Sequence, residues 1–407
     1  MYRPLLIEHG YKKIFSASSQ IARSFWEKFP IESILRPVVL CEDSLDDILS
    51  ENVIYTVSSS RYLKFIYRIL NKFGLGRYVY FPDIASLWAH KSKRIVCKIA
   101  KDNKVSYIHS IGQMFSSHLI ALKLKKKTGL KWIAQFNDPW VENYSHNSNR
   151  LLKYLHTKFE RLVAESADII IHNNESIIDS WKLRYNSEII SKVRLIPLSY
   201  NIPNLPIIRE VKRTDKIIIS HIGSCYGDRD PMPFILAAES FISKFPEFSS
   251  SLIINFVGLL SNNVKEYIIT HKLDFIHLFD IDTPDNILHF YDETDIFLAI
   301  DLNISESKFF PSKLMTYYYY RKPILGISND NSVLSHELKV SGHYNYRFED
   351  ISGIEQYLMT AMSERSKLYY FNKEKWREYT FEAVCRKYVD IVNDLMADNN
   401  IYESKYE

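Results

Sequence analysis

Short β-type runs alternate with helical stretches along most of this chain, and that alternation restricts the fold more than any other feature. Val38-Val39-Leu40, Val53-Ile54-Tyr55-Thr56-Val57, Tyr78-Val79-Tyr80-Phe81, Tyr107-Ile108-His109, Trp132-Ile133-Ala134-Gln135-Phe136, Ile169-Ile170-Ile171 and Val193-Arg194-Leu195-Ile196 read as strands. Helical patterns lie between several of them, notably Ser116 to Lys127 with apolar positions at Leu119, Ile120, Leu122 and Leu124. Such βαβ order predicts an α/β protein with parallel sheets wound by helices on both faces. The pattern fails over Asn201 to Lys216, a Pro-containing, charged stretch that reads as a linker. A second βα series follows at Ile217 to Ile222, Leu252 to Val257, Phe275 to Leu278, Ile296 to Ile300 and Pro323 to Ile327. Two doubly wound domains are therefore expected, over 1–200 and 217–370, with 201–216 as linker and a closing helical region over 371–407.

A chain of 407 residues has room for two or three domains with real cores. Its formal charge of +4 is too even to point to nucleic acid. Cys41, Cys97, Cys225 and Cys385 are far apart and show no CxxC or Cys/His spacing, which predicts reduced thiols in a cytosol and no zinc or other metal site. The first ten residues lack the build of a secretory signal, and no window approaches 18 uninterrupted apolar residues, so the expectation is a cytoplasmic protein, soluble or attached to a membrane face.

Ligands of doubly wound sheets sit beyond the carboxyl ends of the strands. After Ile217 to Ile222 comes Gly223-Ser224-Cys225-Tyr226-Gly227-Asp228-Arg229-Asp230-Pro231. Gly223 permits close backbone approach, and Arg229 offers a fork of donors suited to phosphate oxygens. After Ile296 to Ile300 the chain runs to Phe309-Phe310-Pro311-Ser312-Lys313-Leu314-Met315-Thr316-Tyr317, then a basic turn at Arg321-Lys322 and a buried strand. A helix opening at Pro311-Ser312 would direct backbone N–H groups and its positive dipole end outward beside the Lys313 ammonium, which suits an anion.

Together, Ile222-Gly223-Ser224, Tyr226 to Pro231, Asp292-Glu293-Thr294-Asp295-Ile296, Phe310 to Leu314 and Lys322-Pro323-Ile324-Leu325 resemble the donor half of group 1 (family 4) glycosyltransferases with a GT-B fold. Ser117-His118-Leu119 to Lys127, followed by Phe136-Asn137-Asp138-Pro139-Trp140, is similar to the first half of the same proteins, especially bacterial surface-polysaccharide transferases. The resemblance implies two Rossmann-like domains facing each other across a cleft, with a closing helix that crosses back to the first. It also implies retaining transfer of a sugar from a nucleotide diphosphate sugar to a glycan acceptor, without a cofactor or a bound metal. Gly223, Ser224, Arg229, Pro311, Ser312, Lys313, Leu314 and Thr316 are then the donor-binding set, and Asp138, Asn137 and His118 the sugar-facing set of the first domain.

Departures accompany the match. Two glutamates usual in the family are Lys308 and Thr316 here, the basic residue usual after the strand-ending glycine is Ser224, and His-Asp is replaced by Asn137-Asp138. The glycine-rich loop near the start is reduced to Ser16-Ala17-Ser18-Ser19-Gln20. Bland readings stand beside the functional ones: Lys313 as a solvated first-turn lysine, Arg229 paired with Asp228 or Asp230, Asp138 in an Asx turn, His118 starting its helix, and His109 as a core histidine. Asp280-Ile281-Asp282 matches a metal-binding triplet that this fold does not need.

Arg61 to Arg77 forms a basic helical pattern with apolar Leu63, Ile66, Tyr67, Leu70 and Phe73. It reads either as a helix on an anionic inner-membrane surface, which makes the acceptor a lipid-linked sugar, or as an ordinary core-facing helix with a solvated basic face. Phe371 to Met396 reads as a long amphipathic helix through Trp376, Tyr379, Phe381, Val384, Cys385, Tyr388, Ile391 and Leu395. Two rival functions stay open: a nucleotide-sugar 2-epimerase, which needs histidines and carboxylates converging where the sequence shows no such cluster, and a non-catalytic scaffold.

Overall fold

The computed structural model describes residues 1–12, 17–30, 34–42, 52–58, 65, 69–72, 80–112, 114–143, 149–199, 215–225, 227–280 and 284–403. Most of the Arg61 to Arg77 pattern, nearly all of the linker, Tyr226, Ser16 with the side chains of Ala17, Ser18 and Ser19, and Ile281-Asp282 of the acidic triplet lie outside the described residues. Two compact units result, Met1–Pro203 with Tyr379–Glu407, and Asn204–Glu378.

The first unit is built on seven parallel strands: β1 Pro4–Ile7, β2 Val38–Glu42, β3 Val53–Val57, β4 Tyr107–Gly112, β5 Lys131–Phe136, β6 Ile169–His172 and β7 Val193–Leu195. Their spatial order is β3-β2-β1-β4-β5-β6-β7. The central strands β1, β2, β4 and β6 are buried at every position, as expected of a sheet covered on both faces. One face carries Leu5, Val38, Ile108, Trp132 and Ile170 against the helices Ser86–Asp102 and Ser116–Thr128. The other carries Leu6, Val39, Tyr107, Ile133 and Ile171 against Trp26 and against Val384, Cys385, Tyr388, Ile391, Val392 and Leu395 of the helix Phe381–Glu403.

Several expectations need correction. Tyr80 and Phe81 belong to no strand and lead into Ser86–Asp102. The last long helix begins at Phe381 rather than Phe371, with Trp376 on a preceding 3-10 turn, 4.8 Å below the Arg321 guanidinium. The short strand Tyr344–Tyr346 had no counterpart in the sequence reading, and neither had β1, which pairs with both β2 and β4 at the middle of its sheet.

The second unit has six parallel strands: β8 Ile217–Ile222, β9 Leu252–Val257, β10 Ile276–Phe279, β11 Ile296–Ile300, β12 Ile324–Ile327 and β13 Tyr344–Tyr346. Their order β10-β9-β8-β11-β12-β13 reverses between β8 and β11, so the turns after those two strands flank a topological switch point. At that point β8 and β9 end in glycines with φ of +131° at Gly223 and +130° at Gly258. A side chain at Gly258 would place its Cβ 2.8 Å from the Gly223 carbonyl oxygen, so the two turns close only with glycine there. Gly258→Ala should destabilise the second unit by about 1 to 3 kcal/mol, read as a lowered denaturant midpoint, because backbone strain and a clash with immovable backbone coincide.

Candidate functional site

Around the switch point of the second unit the sequence converges cations. The helix Lys313–Tyr320 packs so that Lys313 and Tyr317, one turn apart, both meet the end of β8. Tyr317 accepts a hydrogen bond from the Ile222 N–H at 3.1 Å and stacks on Phe297 at 4.2 Å. The Lys313 ammonium reaches the space above Gly223, where an added Cβ would lie 2.9 Å from Nζ. It also lies 2.8 Å from His221 Nε2.

The protons of that contact follow from its other partner. His221 Nδ1 is 3.0 Å from the Leu298 carbonyl, which only accepts, so Nδ1 carries the hydrogen and Nε2 accepts from Lys313. Burial, then Lys313 and Arg229, hold His221 well below the usual imidazole range, and it is neutral. Burial first, and Arg229 second, bring the Lys313 ammonium down to about 7. Beside them Asp301 Oδ1 accepts from the Leu302 N–H and the Ser307 hydroxyl, while its buried Oδ2 has no partner among the described residues. Arg229 forms no ion pair with Asp228 or Asp230 among the described residues, and its buried Nε is unpartnered. Two cations thus crowd one glycine turn with too little negative charge to satisfy them.

The structure brings Gly223, Arg229 and Lys313 together, with Ser224 half-buried on the same turn. The helix begins one residue later than expected, with Ser312 as its N-cap. Leu314 and Met315 already direct their N–H groups to the Pro311 and Ser312 carbonyls, so the outward donors narrow to Ser312 and Lys313. Pro311 and Leu314 are buried packing residues, and the Thr316 hydroxyl bonds the Tyr291 phenol in the interior, so these three are not brought to the cationic turn. Lys322 of the basic turn is buried and donates to the Tyr291 and Asp292 carbonyls at the end of the helix Pro284–Glu293.

In the first unit, Asn137 and Asp138 follow β5 at the carboxyl edge. A chain of hydrogen bonds fixes the first of them. Tyr107 and Tyr388 hydroxyls meet at 3.1 Å, Tyr388 reaches His109 Nδ1 at 3.0 Å, His109 Nε2 reaches Gln135 Oε1 at 3.0 Å, and Gln135 Nε2 reaches Asn137 Oδ1 at 2.8 Å. Because Gln135 presents Oε1 to the ring, His109 carries its hydrogen on Nε2 and Tyr388 donates to Nδ1, so every link runs toward Asn137. Burial takes His109 down to about 4, which keeps it neutral. The core-histidine reading holds for this residue.

Asp138 makes no side-chain hydrogen bond among the described residues, so the Asx turn is not formed, and burial raises its carboxyl to about 6. His118 requires correction as a sugar-facing residue. It is sealed at 0% exposure, bonded through Nδ1 to the Ser110 hydroxyl at 2.8 Å, packed on Phe136 and pressed against the Gly112 backbone. Burial takes it down to about 3.

One histidine and two carboxylates that the sequence reading did not connect come together within the first unit. His9 follows β1, Glu42 ends β2, and their side chains meet at 2.9 Å. Asp83 lies near His9 and accepts from the Ser116 N–H, the Ser116 hydroxyl and the Ala85 N–H. Among the described residues no three His, Cys, Asp or Glu groups are placed to hold a metal ion.

No protein-family description and no curated protein matches this sequence. Solved structures do match in fold. A glycosyltransferase from Rickettsia africae aligns with a TM-score of 0.64 at 13% identity, over 97% of this chain and 98% of that one. Anabaena HepE, in complex with UDP-glucose, aligns with a TM-score of 0.62 at 10% identity, over 98% and 100%. A Listeria monocytogenes protein provisionally assigned as a UDP-N-acetylglucosamine 2-epimerase aligns with a TM-score of 0.62 at 9% identity, over 97% of each chain. The chain has the GT-B fold, two Rossmann-like units on parallel sheets.

Tyr388→Phe should cost about 1 to 2 kcal/mol of stability in denaturant unfolding, since it leaves His109 Nδ1 without its donor inside the first unit.

Proposed function

We propose that this chain is a glycosyltransferase that moves a sugar from a nucleotide diphosphate sugar to a hydroxyl of a glycan acceptor. The observation that carries the reading is the under-neutralised pair Arg229 and Lys313 over the Gly223 turn, with the Ser312 end of the following helix beside it. A diphosphate is a ligand suited to such a turn. As the glycosyl–phosphate bond breaks, negative charge grows on the departing diphosphate, and preorganised cations there stabilise the transition state more than the bound donor. They would supply the charge that a divalent ion supplies elsewhere, so no metal or other cofactor forms part of the proposal. Asn137 and Asp138 form the acceptor-side wall, and retention of configuration is carried over from the resemblance to family 4.

The acceptor belongs, on the same resemblance, to surface-polysaccharide synthesis and is lipid-linked at the inner membrane face. No helix among the described residues is long and apolar enough to cross a membrane, which is compatible with work at such a face from one side. A 2-epimerase is the second reading, favoured by the convergence of His9, Glu42 and Asp83 and by the fold match to the Listeria protein.

Titration calorimetry with a panel of nucleotide sugars, followed by addition of membrane lipid extract, separates the readings. Nucleotide diphosphate released only with extract indicates transfer, an epimerised free sugar released without it indicates the epimerase, and no binding indicates a scaffold. Arg229→Ala and Lys313→Ala should each weaken binding of the diphosphate by about 1.5 to 3 kcal/mol, the worth of a charge-assisted hydrogen bond, with a chelator present throughout. Unchanged affinity in both variants refutes the assignment.

A further inference from the structure

We propose that Lys313 is an acylation site: its amine takes the acyl group of a small acyl phosphate drawn to the Gly223 turn, and the modification closes that turn to diphosphates. The inference rests on the anion-binding reading of the turn and not on which group a donor would transfer. Lys313 is half-buried rather than sealed, so a small reagent can reach it. Its nitrogen is set over Gly223, where a Cβ would stand 2.9 Å away, and so faces the backbone that an approaching phosphate would meet.

The contacts of the nitrogen favour a free amine. Lys313 gives one hydrogen to His221 Nε2 at 2.8 Å, which turns a lone pair of the uncharged amine away from the imidazole and toward the turn. Among the described residues no carboxylate forms an ion pair with it, and the Asp301 carboxyl keeps Oδ1 for the Leu302 N–H and the Ser307 hydroxyl. An amine with a neutral partner and a second cation, Arg229, nearby gives up its proton readily, and the free amine is the nucleophile. Brought down to about 7, Lys313 is roughly half uncharged at neutral pH, against about one part in a thousand or less for an ordinary lysine.

Neighbouring groups do not share this combination. Lys322 is also buried, and burial brings it down to about 8, but it precedes β12 and so lies at the opposite edge of the sheet, with hydrogens given to the Tyr291 and Asp292 carbonyls. The Cys225 thiol is 3.2 Å from His221 Nε2, yet it is 1% exposed and burial raises it, so the amine is the group that reacts.

The step balances without a further reactant. An acyl phosphate dianion places its phosphate against Arg229 and the Ser312 end of the helix, its carbonyl carbon bonds to Nζ, and the carbon–oxygen bond to phosphate breaks. The proton lost by the nitrogen leaves on hydrogen phosphate. The resulting amide carries no charge and fills the space over Gly223, so donor binding would fall as acyl phosphate accumulates.

The test treats the full chain with acetyl phosphate near neutral pH and follows each lysine by peptide mass spectrometry, after hydroxylamine has removed any thioester. Lys313 should be acetylated about tenfold or more faster than the exposed Lys126 and the buried Lys322, a modest share of the difference in free amine. Excess inorganic pyrophosphate should suppress labelling of Lys313 and leave Lys126 unchanged, and Arg229→Ala should slow labelling at Lys313. Phenyl acetate, which carries no phosphate, should prefer Lys313 less. The acetylated chain should bind UDP about tenfold or more weakly. Lys313 labelled no faster than Lys126, labelling indifferent to pyrophosphate, or UDP affinity unchanged by the label overturns the proposal. If labelling is selective and pyrophosphate protects while UDP and UDP-sugars fail to bind even the unlabelled chain, the transferase reading falls and the acylation site stands.

Discussion

The contact between the Lys313 ammonium and His221 is the constraint around which the second unit is organised. A lysine drawn under a sheet edge loses hydration, and here its hydrogen-bond partner is a neutral imidazole, with a second cation and the Asp301 carboxylate nearby. Keeping it there requires His221 to be pinned by the Leu298 carbonyl, the helix Lys313–Tyr320 to be locked by Tyr317 on Ile222, and the β8 and β9 turns to close through two glycines. Each of those features lowers the freedom of the turn and none of them neutralises it. The unit therefore stores an electrostatic deficit at one spot, which an anionic ligand relieves.

The first unit manages charge the opposite way. Its carboxyl edge gathers Glu8, Glu42, Asp83 and Asp138, with His9 against Glu42 and His109 kept neutral by burial. The helix Phe381–Glu403 takes part in that edge through Tyr388, whose hydroxyl sets the direction of the chain ending at Asn137. A basic turn therefore stands on one unit and an acidic edge on the other.

The strands rich in Ile, Val and Leu were legible because covered parallel strands need continuous apolar runs, and the anion-suited turns were legible because they follow β8 and precede the helix Lys313–Tyr320. β1 was hidden by its brevity and by Pro4, and with it went His9, which gains meaning only when β1 and β2 become neighbours. Spacing along the chain carries no trace of the His9 to Glu42 contact or of the contact from His109 to Tyr388. Leu314 and Thr316 were misjudged for a different reason. A helix shows one face to the turn, and once Lys313 and Tyr317 occupy it, Leu314 and Thr316 point into the unit. His118 sits on a helix whose first turn is buried, so its motif marked a packing position.

The deficit at Lys313 has a direct thermodynamic signature. With its affinity for protons brought down to about 7, the lysine is mostly neutral near pH 8, and a bound diphosphate would restore its charge. Calorimetry of donor binding at about pH 8, in two buffers of different ionisation enthalpy and with a chelator present, counts the protons exchanged. The account predicts uptake approaching about one proton per donor bound, abolished in Lys313→Arg. Tight binding of a nucleotide sugar with no proton uptake would contradict it.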